Sequence, residues 1–199
     1  SDISVDSPTN NFATLNPLIG TATVLSEGNL KAAYTYSSGA ESVSTSSFAL
    51  TGTGKYYCEF YNQVNSEGGV GIYADRGDNL LWIGVNANTT GHSAQYRFNG
   101  LSYIDGNSNG AYMPSTATGD IIGMAYDAGS GKFFLSKNGS WMKNNSGNVG
   151  NPVTGANPFF TIDSPYDAFF AFGMDATSGG IFNFGQDSSF AGNKTAQGN

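Results

Sequence analysis

Charge is scarce in this chain: Asp, Glu, Lys and Arg make up 12% of its 199 residues, about half the share usual in soluble domains. Solubility must then rest on Ser, Thr, Asn and Gly, a composition suited to extracellular and virion surfaces. The imbalance that exists is acidic, with a net charge of −7. No cluster of Lys or Arg interrupts it, which disfavours nucleic acid and anionic membrane surfaces as partners. The single cysteine, Cys58, excludes an intrachain disulfide and any zinc site built from several thiolates. Placed mid-strand in KYYCEFY, it reads as a small buried hydrophobe. No run approaches the roughly 20 apolar residues of a membrane span, and no secretory signal opens the chain. The start at Ser1 without Met suggests a processed or excised fragment.

Helical periodicity is also missing, since every candidate window is broken by Gly or Asn. Alternation with period two takes its place. Tyr56, Cys58 and Phe60 share one face of KYYCEFY, and Tyr57, Glu59 and Tyr61 the other. Val70, Ile72 and Ala74 repeat the pattern, as do Ala94, Tyr96 and Phe98, and AFFAFGM and GIFNFG supply late strands. In GDIIGMAYDAGSGKFFLSKNGSWM, Ile122, Met124 and Tyr126 point inward, DAGSG reverses the chain, and Phe133 and Leu135 return. Asn138-Gly139 then supplies the two positive-φ residues of a type I′ hairpin turn. Turn-formers punctuate the rest: TGTG, NSEGG, DRGDN and DATSGG. Many short strands so punctuated predict an all-β chain, a two-sheet antiparallel jelly-roll-like β-sandwich in one domain. Residues 143–157 exceed ordinary loop length and are expected to be functional or mobile.

Catalytic constellations are not found. Glycoside hydrolysis needs paired carboxylates, and no strand carries them at suitable spacing; Glu59 reads as a surface residue. His92 is a lone histidine in a polar loop with no nucleophile elbow to serve. Asp105, Asn107 and Asn109 with Gly110 match the first half of a calcium loop, but the expected bidentate Glu is Thr116. A plain Asn-Gly turn is the simpler reading. Arg76-Gly77-Asp78 matches an integrin-binding tripeptide, yet serves better as a generic contact, an Arg fork beside an acceptor. Sequons at Asn88, Asn138, Asn144 and Asn193 follow from the abundance of Asn, Ser and Thr. Exposed aromatics would decide a ligand class, because sugar rings stack on Trp or Tyr. Trp141, Tyr103, Tyr112 and Tyr166 are the candidates, whereas Trp82 in LLWIGV is expected to be buried.

Three ordered motifs, GKYYCEF, GDIIGMAYDAGSGKFFLSKNGSW and GGIFNFGQ, resemble the SPRY domain, a concanavalin A-like bent sandwich. Gly54, Lys55 and Tyr57 match its opening strand. Gly119, Asp120, Ile122, Gly123, Asp127, Gly131, Lys137, Asn138 and Gly139 match its central hairpin, and Asn183, Phe184, Gly185 and Gln186 its closing strand. Cys58 stands where a Trp is common. The resemblance divides the chain into N-terminal strands and loops over 1–44, a SPRY-like sandwich over 45–192, and a truncated tail over 193–199. DSPTNNFATLNPL and FNFGQDSSFAGNKTAQGN further resemble SPRY-like modules of phage structural and tail-associated proteins. The resemblance implies binding rather than catalysis, through loops at one rim. That rim would combine 62–68, 74–79 and 175–178, with Asn62, Arg76, Asp78, Asp175 and Thr177 as contacts beside Trp141 and Tyr166. It implies a virion or extracellular protein whose partners are a host-surface glycan or protein and other virion proteins, with no cofactor.

Overall fold

The computed structural model describes residues 11–19, 23–35, 42–64, 67–74, 93–111, 113–163, 167–174 and 176–195. Among these no helix occurs, and the alternation read from the sequence becomes strands: β1 (Thr23–Ser26), β2 (Lys31–Tyr34), β3 (Ser42–Thr45), β4 (Lys55–Val64), β5 (Gly69–Ala74), β6 (Ser93–Arg97), β7 (Leu101–Ile104), β8 (Asn107–Ala111), β9 (Ile121–Asp127), β10 (Lys132–Lys137), β11 (Ser140–Trp141), β12 (Phe160–Thr161), β13 (Ala168–Met174) and β14 (Ser178–Asn183). They form two antiparallel sheets. One has the order β1-β2-β14-β4-β9-β10-β11, with β12 also on β10; the other is β3-β13-β5-β6-β7-β8. Both consist of antiparallel pairs, so the fold is the all-β sandwich expected from the sequence.

The layers meet on large apolar side chains. Phe60 of β4 lies at their centre, 5.0 Å from Phe182 in its own sheet and 5.0 Å from Phe172 of the opposite one. Phe98, just after β6, stacks on it at 5.6 Å. Such clusters add about 0.5–1.5 kcal/mol per aromatic pair beyond area burial. Gly180 lets this packing close up, because a Cβ there would stand 2.3 Å from Phe60 Cζ and 2.3 Å from Tyr61 O. Cys58, Ile122, Met124, Phe133 and Leu135 are buried, as the alternation requires.

The smaller sheet departs from simple alternation. Ser93, Gln95 and Arg97 of β6 are polar and should face solvent, yet all three are buried. Gln95 Nε2 reaches past Gly69 and Gly71 of β5 to donate to Gly173 O at 3.2 Å, and Arg97 lies 4.5 Å from the centre of the Tyr103 ring. The bond to Gly173 O satisfies the Gln95 amide nitrogen and spares it the cost of unpaired burial, while Oε1 finds no partner among the described residues.

Candidate binding site at Trp141

Strand register decides which of the expected contacts can share a site. β13 pairs with β5 so that Gly173 faces Gly69 and Ala168 faces Ala74. β14 pairs with β4 so that Gly179 faces Val64. The β4–β5 and β13–β14 connections therefore leave from the same end of the sandwich. Ala74 lies at the other, about 17 Å away at roughly 3.3 Å per residue. Of the three rim segments, the described residues 62–64, 67–68 and 176–178 lie towards one end and Ala74 towards the other, while 75–79 lie outside the described residues. Arg76, Asp78, His92, Trp82, Tyr112, Tyr166 and Asp175 lie outside the described residues. Thr177 is exposed at the shared end.

Asn62 does not present a ligand-binding side chain. It is 0% exposed, with its Nδ2 at hydrogen-bonding distance from Thr116 Oγ1 and Ala117 O, both 3.4 Å. Its backbone N–H donates to Asp120 O at 3.0 Å and its carbonyl accepts from Gly119 N at 2.8 Å. A residue bonded on both main-chain and side-chain atoms ties the 116–120 segment to β4. The family resemblance put it at the rim by its place along the chain, and polar residue types are more often exposed than buried.

The calcium reading resolves into a turn. Asp105 and Gly106 have φ of 47° and 82° between paired Ile104 and Asn107, a two-residue hairpin loop of the type I′ kind. Asp105 Oδ1 accepts from Ser93 N at 3.1 Å, and the Asn107 and Asn109 amides donate to backbone carbonyls two residues back. Thr116 is buried and donates to Phe98 O. Among the described residues no group of three His, Cys, Asp or Glu converges.

Trp141 does sit on a hollow. The Asn138-Gly139 turn, with φ of 49° and 79°, closes the β10–β11 hairpin. Asn138 Oδ1 accepts from Ile121 N and its Nδ2 donates to Asp120 Oδ1, both at 2.8 Å. Lys137 Nζ stands 2.9 Å from Asp120 Oδ2 and donates to Ser115 O at 2.8 Å. Burial opposes ionisation of Asp120. The Ala117 N–H, the Asn138 amide and the Lys137 ammonium outweigh it and hold the carboxyl below its ordinary value. This bracket fixes the hairpin against the 114–120 segment, itself anchored where Tyr96 OH donates to Pro114 O.

The far wall of the hollow is the 143–157 segment, which is neither structureless nor free. Asparagines supply its turns: Asn144 Oδ1 accepts from Ser146 N and Asn148 N, and Asn151 Oδ1 from Val153 N and Thr154 N. Bridges join Lys143 to Val149 and Asn151 to Ala156, and Lys132 Nζ donates to Gly155 O at 2.8 Å. The resulting hollow of about 330 Å³ is lined by Pro114, Lys137, Asn138, Ser140, Trp141, Met142, Lys143 and Val149. It lies at the small end of the range for ligand sites, and it combines apolar walls with polar groups as they do.

A larger hollow of about 440 Å³ opens near the start of β4, among Phe12, Phe48, Tyr56, Tyr57 and Phe184. Sequence reasoning missed it, because its walls come from segments far apart in the chain. Its hydroxyls are spent internally: Tyr56 OH donates to Thr51 O, Tyr57 OH to Glu59 Oε1 and Ser46 Oγ to Phe48 O. Trp141 keeps the stronger claim, since orientation and specificity require polar groups left over for a ligand.

No protein-family model matches the chain, and no curated protein matches its sequence. Among solved structures it is similar to the SPRY domain of human HERC1, with a TM-score of 0.65 over 87% of this chain and 99% of that one, at 17% identity. At that identity the likeness establishes architecture and not function. Two antiparallel sheets with the SPRY arrangement, carrying Trp141 on a walled hollow at a sheet edge, make this chain a SPRY-like β-sandwich.

Proposed function

We propose that this domain is a non-catalytic recognition module of a phage structural or tail-associated protein, displayed on the virion to bind a host-surface glycan or protein. The observation that carries the reading is Trp141, half-buried at the edge of a rigid sheet in a hollow with polar groups left over. An aromatic ring held this way offers a flat apolar face at little entropic cost, the feature that sugar and protein ligands alike exploit. The viral setting is supported by the terminal segments' resemblance to phage modules and by the charge-poor, Asn- and Ser-rich composition. A glycan array and a host-cell binding assay, each run with the native chain and Trp141→Ala, test the reading. Binding that the variant loses supports it. Binding that the variant retains in full moves the site elsewhere.

One observation favours a second reading, an architectural capsid or tail element without soluble ligand. The outer edge of β1 pairs with no strand among the described residues, and Val24 on it is 68% exposed. An open edge with an apolar side chain is a template for pairing with another chain. Sedimentation analysis separates the two: concentration-dependent self-association without ligand binding favours architecture.

A further inference from the structure

The hollow at Trp141 is rich in donors. Lys137 and Asn138 are committed to Asp120, Ser115 and Ile121. What remains is the Lys143 ammonium, which forms no ion pair among the described residues, the Trp141 indole N–H and the Ser140 hydroxyl. Ammonium and indole N–H groups can only donate. No carboxylate lines the hollow, although the chain carries 15 Asp and Glu against 8 Lys and Arg. Asp120 stands behind the lining and neutralises Lys137, which leaves Lys143 as the charge an anion entering the hollow would meet. Met142, Val149 and Pro114 give the same hollow an apolar side. Acceptors on one edge and a flat, weakly polar face on the other are what such a lining fits.

Resting on the recognition reading above, we propose that the hollow binds an acidic sugar unit of a polysaccharide, a uronate-type ring with its apolar face on Trp141 and its carboxylate on Lys143. Its small volume suits a sugar ring better than a folded partner. The ring's hydroxyls accept from Ser140 and the indole N–H.

The test follows the Trp141 indole NMR signal of the intact chain during titration with an oligouronate, a neutral oligosaccharide of matched length, and hexaglutamate. The native protein is compared with Lys143→Gln by that signal, and with Trp141→Ala and Trp141→Phe, which lack it, by titration calorimetry, where both should bind the oligouronate more weakly; the Phe variant keeps an aromatic ring in case the alanine variant folds poorly. The oligouronate is expected to bind at least about threefold more tightly than the neutral sugar, within reach of one partly exposed ion pair. That preference should vanish in Lys143→Gln and shrink at about 0.5 M salt, where screening is nearly complete. Equal binding of neutral and acidic sugars, unaffected by Lys143→Gln, overturns the charge assignment and leaves the recognition site standing. Hexaglutamate binding as tightly as the oligouronate overturns the saccharide assignment. No response of Trp141 to any of the three sinks both this proposal and the location of the site.

Discussion

Asp120→Asn separates the ion-pair bracket from the rest of the fold. The native carboxylate lies 2.8 Å from Ala117 N, 2.8 Å from Asn138 Nδ2 and 2.9 Å from Lys137 Nζ. The amide is nearly the same size but carries one acceptor in place of two. It must therefore aim an N–H at a donor, lose one charge-assisted hydrogen bond, worth roughly 1.5–3 kcal/mol, and weaken the Lys137 pair, worth about 0.2–1 kcal/mol when exposed. With side-chain exposures of 17% for Asp120 and 25% for Lys137, solvent screens part of this. The expected loss at pH 7 is about 2 kcal/mol, a fall in Tm of roughly 4–8 °C for a chain of this size. The pH dependence gives a sharper criterion. The native carboxyl titrates below its unfolded value of about 3.9, so its contribution is fully present above that value and is lost as pH falls through the native one. The stability difference between native and variant, read from urea melts between pH 2.5 and 7, should be constant near neutrality and shrink below about pH 4. A variant as stable as native at pH 7, or a difference that persists unchanged into acid, would refute the bracket.

Phe60→Ala should cost about 3–5 kcal/mol in denaturant melts, since the ring touches both layers; a loss under about 1 kcal/mol would mean the core does not close around it. Gly139→Val places a β-branched residue at φ 79° and should destabilise by about 1–3 kcal/mol, whereas unchanged melting would contradict the type I′ turn. Burial, reinforced by Glu59, pushes the Cys58 thiol well above its ordinary value. A thiol reagent at pH 8 should therefore label the native chain far more slowly than the urea-unfolded one, and equal rates would place Cys58 at the surface.

Much of the sandwich was legible beforehand because it rests on local rules. Alternation placed Cys58, Phe60, Ile122 and Met124 inward, and Asn138-Gly139 demanded a reversal whatever else surrounded it. The Asn-Gly turn read at 109–110 lies instead within β8, and the reversal falls at Asp105-Gly106. The polar positions went less well. Asn62, Gln95 and Arg97 are polar by type and buried by context, because their partners stand 54 and 78 residues away for Asn62 and Gln95. Nothing in a local window reports such partners.

The sequence by itself determined the periodicity, the reversals and the sparse acidic surface, since each depends on one residue and its near neighbours. Only the tertiary structure decided that the two ends of β5, Gly69 and Ala74, lie at opposite ends of the sandwich, that 143–157 closes on itself through bridged turns, and that Trp141 and Lys143 line one hollow. Those are consequences of strand register and sheet order, set by packing among residues distant in the chain, and a linear pattern carries no measure of that distance.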